Sequence, residues 1–266
     1  MELCDQRLDW CVLLILVGEG QEINNGENSG IAQWNAAIGS SREVWNVVCP
    51  DKLREVFFSA ASVRCEPYLN LDTSLRTHTA GEVSRFVNAL IAGNIAEANA
   101  IADRITGYDM YFTRDIQKAK EYCQRRYKGS NQRYGLMASS KAKSLEVYKM
   151  KPTFQPNVAD WFNKPATDSK SGCALKKTIS EFDCQGLEVN MPILGWADDM
   201  LWDKQNKRWV TKVTPGTDAE DYRINSYRVL LTRGRDGFFI FVPPISEMDP
   251  VAEVLLLAGI KEYIEE

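Results

Sequence analysis

Hydrophobic and polar positions alternate along this chain in two rhythms, and the switches between them outline its elements. Residues 11–17 form an unbroken apolar run closed by Gly18, which predicts a strand buried on both faces of a parallel sheet. Residues 30–39 place Ile31, Trp34 and Ile38 at helical spacing. Residues 44–49 read as a second strand, and Pro50 introduces a helix over 51–60. A short third strand is expected at 68–71. Two alanine-rich amphipathic helices, 79–89 and 96–105, are split by Gly93-Asn94. Strand 110–112, helix 115–126, strand 133–137 and a helix from Lys141 then alternate. The Pro-, Asn-, Lys- and Ser-rich stretch 151–172 reads as an irregular connection. Strand 189–196, helix 219–231, strand 238–242 and one or two helices over 251–264 complete the pattern.

Strands alternating with helices predict an α/β fold with a mainly parallel sheet flanked by helices. At 266 residues the chain is long enough for one large or two small domains. The expected division is 1–75, a pair of linking helices over 76–106, and 107–266.

Composition narrows the chemistry. The formal net charge of −4 argues against a protein that coats nucleic acid, but not against a local groove that holds it. Seven cysteines occur without a CxxC pair, so neither a zinc site nor a disulfide framework is expected. The only histidine, His78, leaves a Ser-His-Asp triad or a His-rich metal site without support, and it reads as a polar loop residue. The apolar run near the start is too short to span a bilayer and follows acidic residues, unlike a signal peptide. The expected location is cytoplasmic, with no membrane partner.

Two late stretches carry the candidate chemistry. In one, an amphipathic helix ends in Leu231-Thr-Arg-Gly-Arg235 and a buried strand follows. Arg233 would then stand at the sheet edge, where its rigid fork can grip a phosphate, or it would simply be a surface cation favoured by the helix terminus. In the other, the polar turn Gln185-Gly186-Leu187-Glu188 enters an apolar strand. Gly186 permits close backbone approach, and Glu188 can accept hydrogen bonds from a ribose or a neighbouring loop. Trp161, Trp202, Trp209 and Tyr227 can stack on bases, but core positions explain them better.

Taken together, Gln185–Glu188 followed by Leu231–Arg235 resembles the last motifs of superfamily 1 helicases. The longer wording, FDCQGLEV, WADDMLW and NSYRVLLTRGRDGFFIFVPP, with DWCVLLILVGEGQEINNGE near the start, resembles the Schlafen group 3-like DNA/RNA helicase domain family. LDTSLRTH, YFTRDIQKAKEY and RYGLMASSKA fit the same resemblance, which covers nearly the whole chain. It implies a RecA-like P-loop NTPase fold: the tail of a first RecA-like domain, then a second. It also implies ATP and Mg²⁺ as cofactors and single-stranded or duplex DNA or RNA as partner. Gln21 would sense the γ-phosphate, Arg76 and Arg233 would reach it from the second domain, and Gln185, Gly186, Glu188 and Arg235 would couple nucleotide to nucleic acid. An arginine of that kind contributes roughly 10³–10⁵ in rate.

No GxxxxGK[ST] loop occurs in the sequence, and no apolar strand ends in a Walker B Asp-Glu pair. The first apolar strand ends in Gly18-Glu19, at the later motif, and Trp196-Ala-Asp-Asp199 reads as structural or as a loop near the nucleic-acid path. The expectation is a truncated product, a fragment, or a half whose P-loop partner comes in cis or in trans, without appreciable hydrolysis alone. The competing expectation is a non-catalytic nucleic-acid- or protein-binding module. An unrelated small-molecule α/β enzyme finds no nucleophile elbow, dinucleotide fingerprint or metal cluster to support it.

Overall fold

A computed structural model describes residues 4–7, 9–16, 30–70, 80–213 and 218–264. The chain divides into two compact units, Met1–Leu75 and Arg76–Glu266.

In the first unit, α1 (Ala32–Gly39) lays Ile31, Trp34 and Ile38 against a small core of Cys49, Leu53 and Phe57. Strands β1 (Asn46–Cys49) and β2 (Ser62–Cys65) pair in parallel, joined through a 3-10 helix at Asp51–Val56. Two expectations are corrected here. The strand expected at 68–71 is a 3-10 turn, Pro67–Leu69, because Pro67 has no N–H for a ladder; the alternating Ser-Val-Arg-Cys just before it forms the strand instead. Residues 11–16 form no regular structure, and Val12 and Leu14 are each 81% exposed. An apolar run becomes a buried strand only beside hydrogen-bonding neighbours, and among the described residues none pairs with it.

The second unit begins with α2 (Ala80–Ile91) and α3 (Ile95–Ala102). Six strands then form one all-parallel sheet: β3 (Asp109–Thr113), β4 (Tyr134–Ala138), β5 (Thr178–Ile179), β6 (Met191–Gly195), β9 (Gly237–Phe241) and β10 (Lys261–Glu262), in the order β10-β3-β9-β6-β4-β5. Strands β4, β6 and β9 are buried along their whole length, as central strands covered on both faces must be. Helix α4 (Ile116–Arg126) is capped by the Asp115 carboxylate, which accepts from Gln117 N. The stretch 151–172 contains a short helix, α5 (Val158–Asn163), whose Trp161 wedges against the backbone of β4; a Cβ on Gly135 would sit 2.2 Å from its ring. An antiparallel hairpin, β7 (Met200–Asp203) and β8 (Arg208–Thr211), leads into α6 (Asp218–Leu231). Helix α7 (Asp249–Leu257) precedes the edge strand β10. Helices α2 and α3 pack on this unit: Trp209 donates its indole N–H to Leu90 O at 2.7 Å, and Asn99 donates to Leu257 O at 3.1 Å. Trp161, Trp209 and Tyr227 are core residues.

Candidate functional site

The two late stretches, far apart in sequence, are hydrogen-bonded to each other. Val189 N donates to Arg233 O and Arg235 N donates to Val189 O, both at 2.9 Å, which makes a parallel bridge of Val189 and Gly234. Asp236 N continues the ladder to Asn190 O at 2.9 Å. The junction lies just before β6 and β9, at the amino edge of the parallel sheet. Gly234 is dictated by the tight turn that leads into β9, since a Cβ there would lie 1.9 Å from Gly237 O. Gly186 has φ +81°, a left-handed conformation that favours glycine, and it is exposed beside an exposed Gln185.

Arg235 points outward, 54% exposed at its side chain, and donates Nε–H to Glu188 Oε2 at 3.0 Å. Arg233 behaves differently. The expectation of a guanidinium open to a cleft is corrected: the residue is 2% exposed. Its Nε–H donates to Val229 O at 2.9 Å, one terminal nitrogen reaches Leu187 O at 3.4 Å, and the other donates to Thr232 Oγ1 at 3.0 Å. Carbonyls exposed where the helix ends are suitable acceptors for a buried guanidinium, which must be satisfied where it lies. Gln21 and Arg76, like His78, lie outside the described residues.

A second polar cluster, of which the sequence singles out only Asp199 and Tyr227, sits at the opposite, carboxyl edge of the sheet. Glu181 follows β5, Ser139 and Ser140 follow β4, Asp199 follows β6, and Arg223, Ser226 and Tyr227 project from one face of α6. Apart from Ser140, every one of these residues is buried. Arg223 lies 3.4 Å from Glu181 and 3.3 Å from Asp199, and also donates to Ser139 Oγ. Glu181 accepts from Ser140 N at 2.7 Å, Ser140 Oγ at 2.9 Å and Ser226 Oγ at 3.0 Å. Asp199 accepts from Ser139 Oγ at 2.5 Å and from Tyr227 O–H at 2.6 Å. Burial and the neighbouring Asp199 carboxylate hold the Tyr227 phenol well above its ordinary range, so it stays a donor. A helical Arg-x-x-Ser-Tyr spacing is the one sequence signal for this face, and it looks like an ordinary charged helix position.

The segment from Glu181 to Val189 crosses from the carboxyl edge to the amino edge, and α6 crosses with it. The two are tied at one end by Arg223 and Ser226 to Glu181, and at the other by Arg233 to Leu187. Among the described residues no group of His, Cys, Asp and Glu is arranged to hold a metal ion. No helix among them is long and apolar enough to cross a membrane.

A mainly parallel six-stranded sheet flanked by helices, with these two loops locked at its amino edge, is a RecA-like α/β unit of helicase type. The chain belongs to the Schlafen group 3, DNA/RNA helicase domain family, whose model matches residues 1–244. Neither the comparison with curated proteins nor that with solved structures gave a match. Helicase-related function and dealings with nucleic acid follow from this membership at the level of the family.

Proposed function

We propose that this chain is the coupling half of a nucleic-acid-stimulated helicase ATPase, with residues 107–266 as its second RecA-like domain and 1–75 as the tail of the first. The observation that carries the reading is the direct hydrogen bonding of Leu187, Glu188 and Val189 to Arg233 and Arg235. On this reading Arg235 and Glu188 are the accessible polar pair, fitted to meet phosphate and ribose from ATP, while Gly186 lets backbone approach closely. Arg233 acts as a positioning residue that fixes Leu187 and so presents Glu188. Gln21 and Arg76 keep the γ-phosphate roles that the family resemblance implies. The sequence carries no GxxxxGK[ST] motif, so on this reading Mg²⁺ and the triphosphate would be gripped by a P-loop half in cis or in trans. DNA or RNA is the expected partner, and hydrolysis by this chain alone is expected to be negligible.

Steady-state ATPase assays test this directly. The chain alone should not turn over ATP with or without single-stranded DNA. Adding a separately expressed P-loop segment should restore DNA-stimulated turnover, and Arg235→Ala should lower it at least about tenfold, the scale of one lost charge-assisted contact. The burial of Arg233 favours one second reading, a non-catalytic nucleic-acid- or protein-binding module. Salt-dependent DNA binding without any rescue of ATPase activity would select that module instead.

A further inference from the structure

Strands β1 and β2 set two cysteines side by side. Their register aligns Cys49 with Cys65, and adjacent strands lie about 4.8 Å apart. Aligned residues of a parallel pair point to the same face; here Val47 and Val63, two positions earlier, pack on the same small core as Cys49. A disulfide requires Cα atoms roughly 4.4–6.8 Å apart, so this spacing suits one without moving the backbone. Access is asymmetric: Cys49 is buried and Cys65 half-buried.

The chain's other thiols lack this combination. Cys123, Cys173 and Cys184 are buried. Cys4 and Cys11 lie in a stretch without strand or helix, where Cys11 Sγ donates to the Cys4 carbonyl at 3.9 Å.

We propose that Cys49 and Cys65 form a reversible thiol–disulfide site, closed by a small disulfide oxidant of the glutathione type and opened by dithiols. The Cys65 thiolate attacks one sulfur of glutathione disulfide, and a first glutathione leaves as its thiolate. The Cys49 thiolate then attacks Cys65 Sγ in the mixed disulfide, and a second glutathione leaves. Two protein thiols are oxidised and one glutathione disulfide is reduced to two thiols, so electrons and protons balance. Burial pushes the Cys49 thiol up, with Cys65 adding to the effect, so this second step is favoured as pH rises. The closed bond would staple the two parallel strands of the first unit and close the residues between them into a loop that constrains the unfolded chain. This inference does not rest on the helicase reading.

The test is peptide mapping of the full chain after exposure to glutathione disulfide, alkylation of remaining thiols and trypsin digestion. Cleavage at Lys52, Arg54 and Arg64 separates the two cysteines, so a closed pair appears as two peptides joined. The expected result is that joined species in most molecules, returned to two free thiols by dithiothreitol, abolished in Cys65→Ser and retained in Cys4→Ser. Amide exchange in β1 and β2 should slow on oxidation, which reports the staple without relying on either variant. Recovery of both cysteines alkylated, or of Cys65 as a lasting glutathione adduct with Cys49 free, would overturn the proposal.

Discussion

The two units apply the same kind of parallel pairing under opposite conditions. In the second, β4, β6 and β9 lie among neighbours with both faces covered, and hardly a side chain of theirs meets water. In the first, β1 and β2 make a two-stranded parallel sheet among the described residues, and Val48 on β1 is 53% exposed. Parallel ladders are stable chiefly when buried on both sides, and two strands alone are marginal. The difference teaches that local strand propensity is similar in the two units, while the stabilisation comes from what covers the strands. The second unit even affords a buried guanidinium between two carboxylates, which is tolerable only because serine, tyrosine and backbone donors complete the cluster.

That contrast is broken most forcefully at Arg223. Arg223→Ala leaves Glu181 and Asp199 buried without their counter-charge, and should cost about 3–5 kcal/mol of stability in the second unit. Urea unfolding followed by near-UV circular dichroism, where Trp196 packs on Tyr227 with ring centroids 4.6 Å apart, would read it. A loss below about 1 kcal/mol would place the cluster in contact with water. A smaller effect follows from pH. Burial pushes the Cys184 thiol up to about 12, so the folded chain keeps a proton that the unfolded chain releases from its ordinary thiol range upward. Stability from this group is whole below that range and declines as pH rises through it, by up to about 1.4 kcal/mol per pH unit, until the folded thiol itself ionises. Cys184→Ala should flatten the alkaline fall of the urea midpoint by that share; an unchanged slope would remove the buried thiol as its source.

The same contrast explains what could be read in the sequence. The runs that became β4, β6 and β9 were legible because full burial writes itself as continuous apolar sequence. The run at 11–17 has that signature too, yet 11–16 is largely exposed, since sequence alone does not supply a neighbouring strand. The hairpin of β7 and β8 has no clear sequence signature because Trp202 and Trp209 are interleaved with charged residues, and β10 has none because an exposed Lys-Glu edge carries no apolar signal. At the site, the two turns could be picked out from wording and glycine placement, but their hydrogen bonding depends on the β6–β9 register, which spacing does not encode. Arg223 and Glu181 were invisible for a related reason: charged residues are ordinarily solvated, and only the fold reveals that these are not.

The smallest expected effect is the sharpest test of the comparison. Val48→Thr keeps a β-branched residue in β1 and replaces a methyl by a hydroxyl at a position open to water. Surface changes of this kind stay within about 0.5 kcal/mol, so amide exchange across β1 and β2 should hardly change. The matching change in the second unit, Ile193→Thr in β6, would bury a hydroxyl at a fully enclosed site and cost about 1–3 kcal/mol or more. If Val48→Thr proves as damaging as Ile193→Thr, then something covers that face of β1 in solution, and the first unit is not a half-open sheet. Adding the P-loop segment distinguishes the origin of such cover. A cost that emerges only with the segment present means that the segment covers the face, as the proposed coupling role would have it, whereas a cost already present in the chain alone means that its own residues cover it.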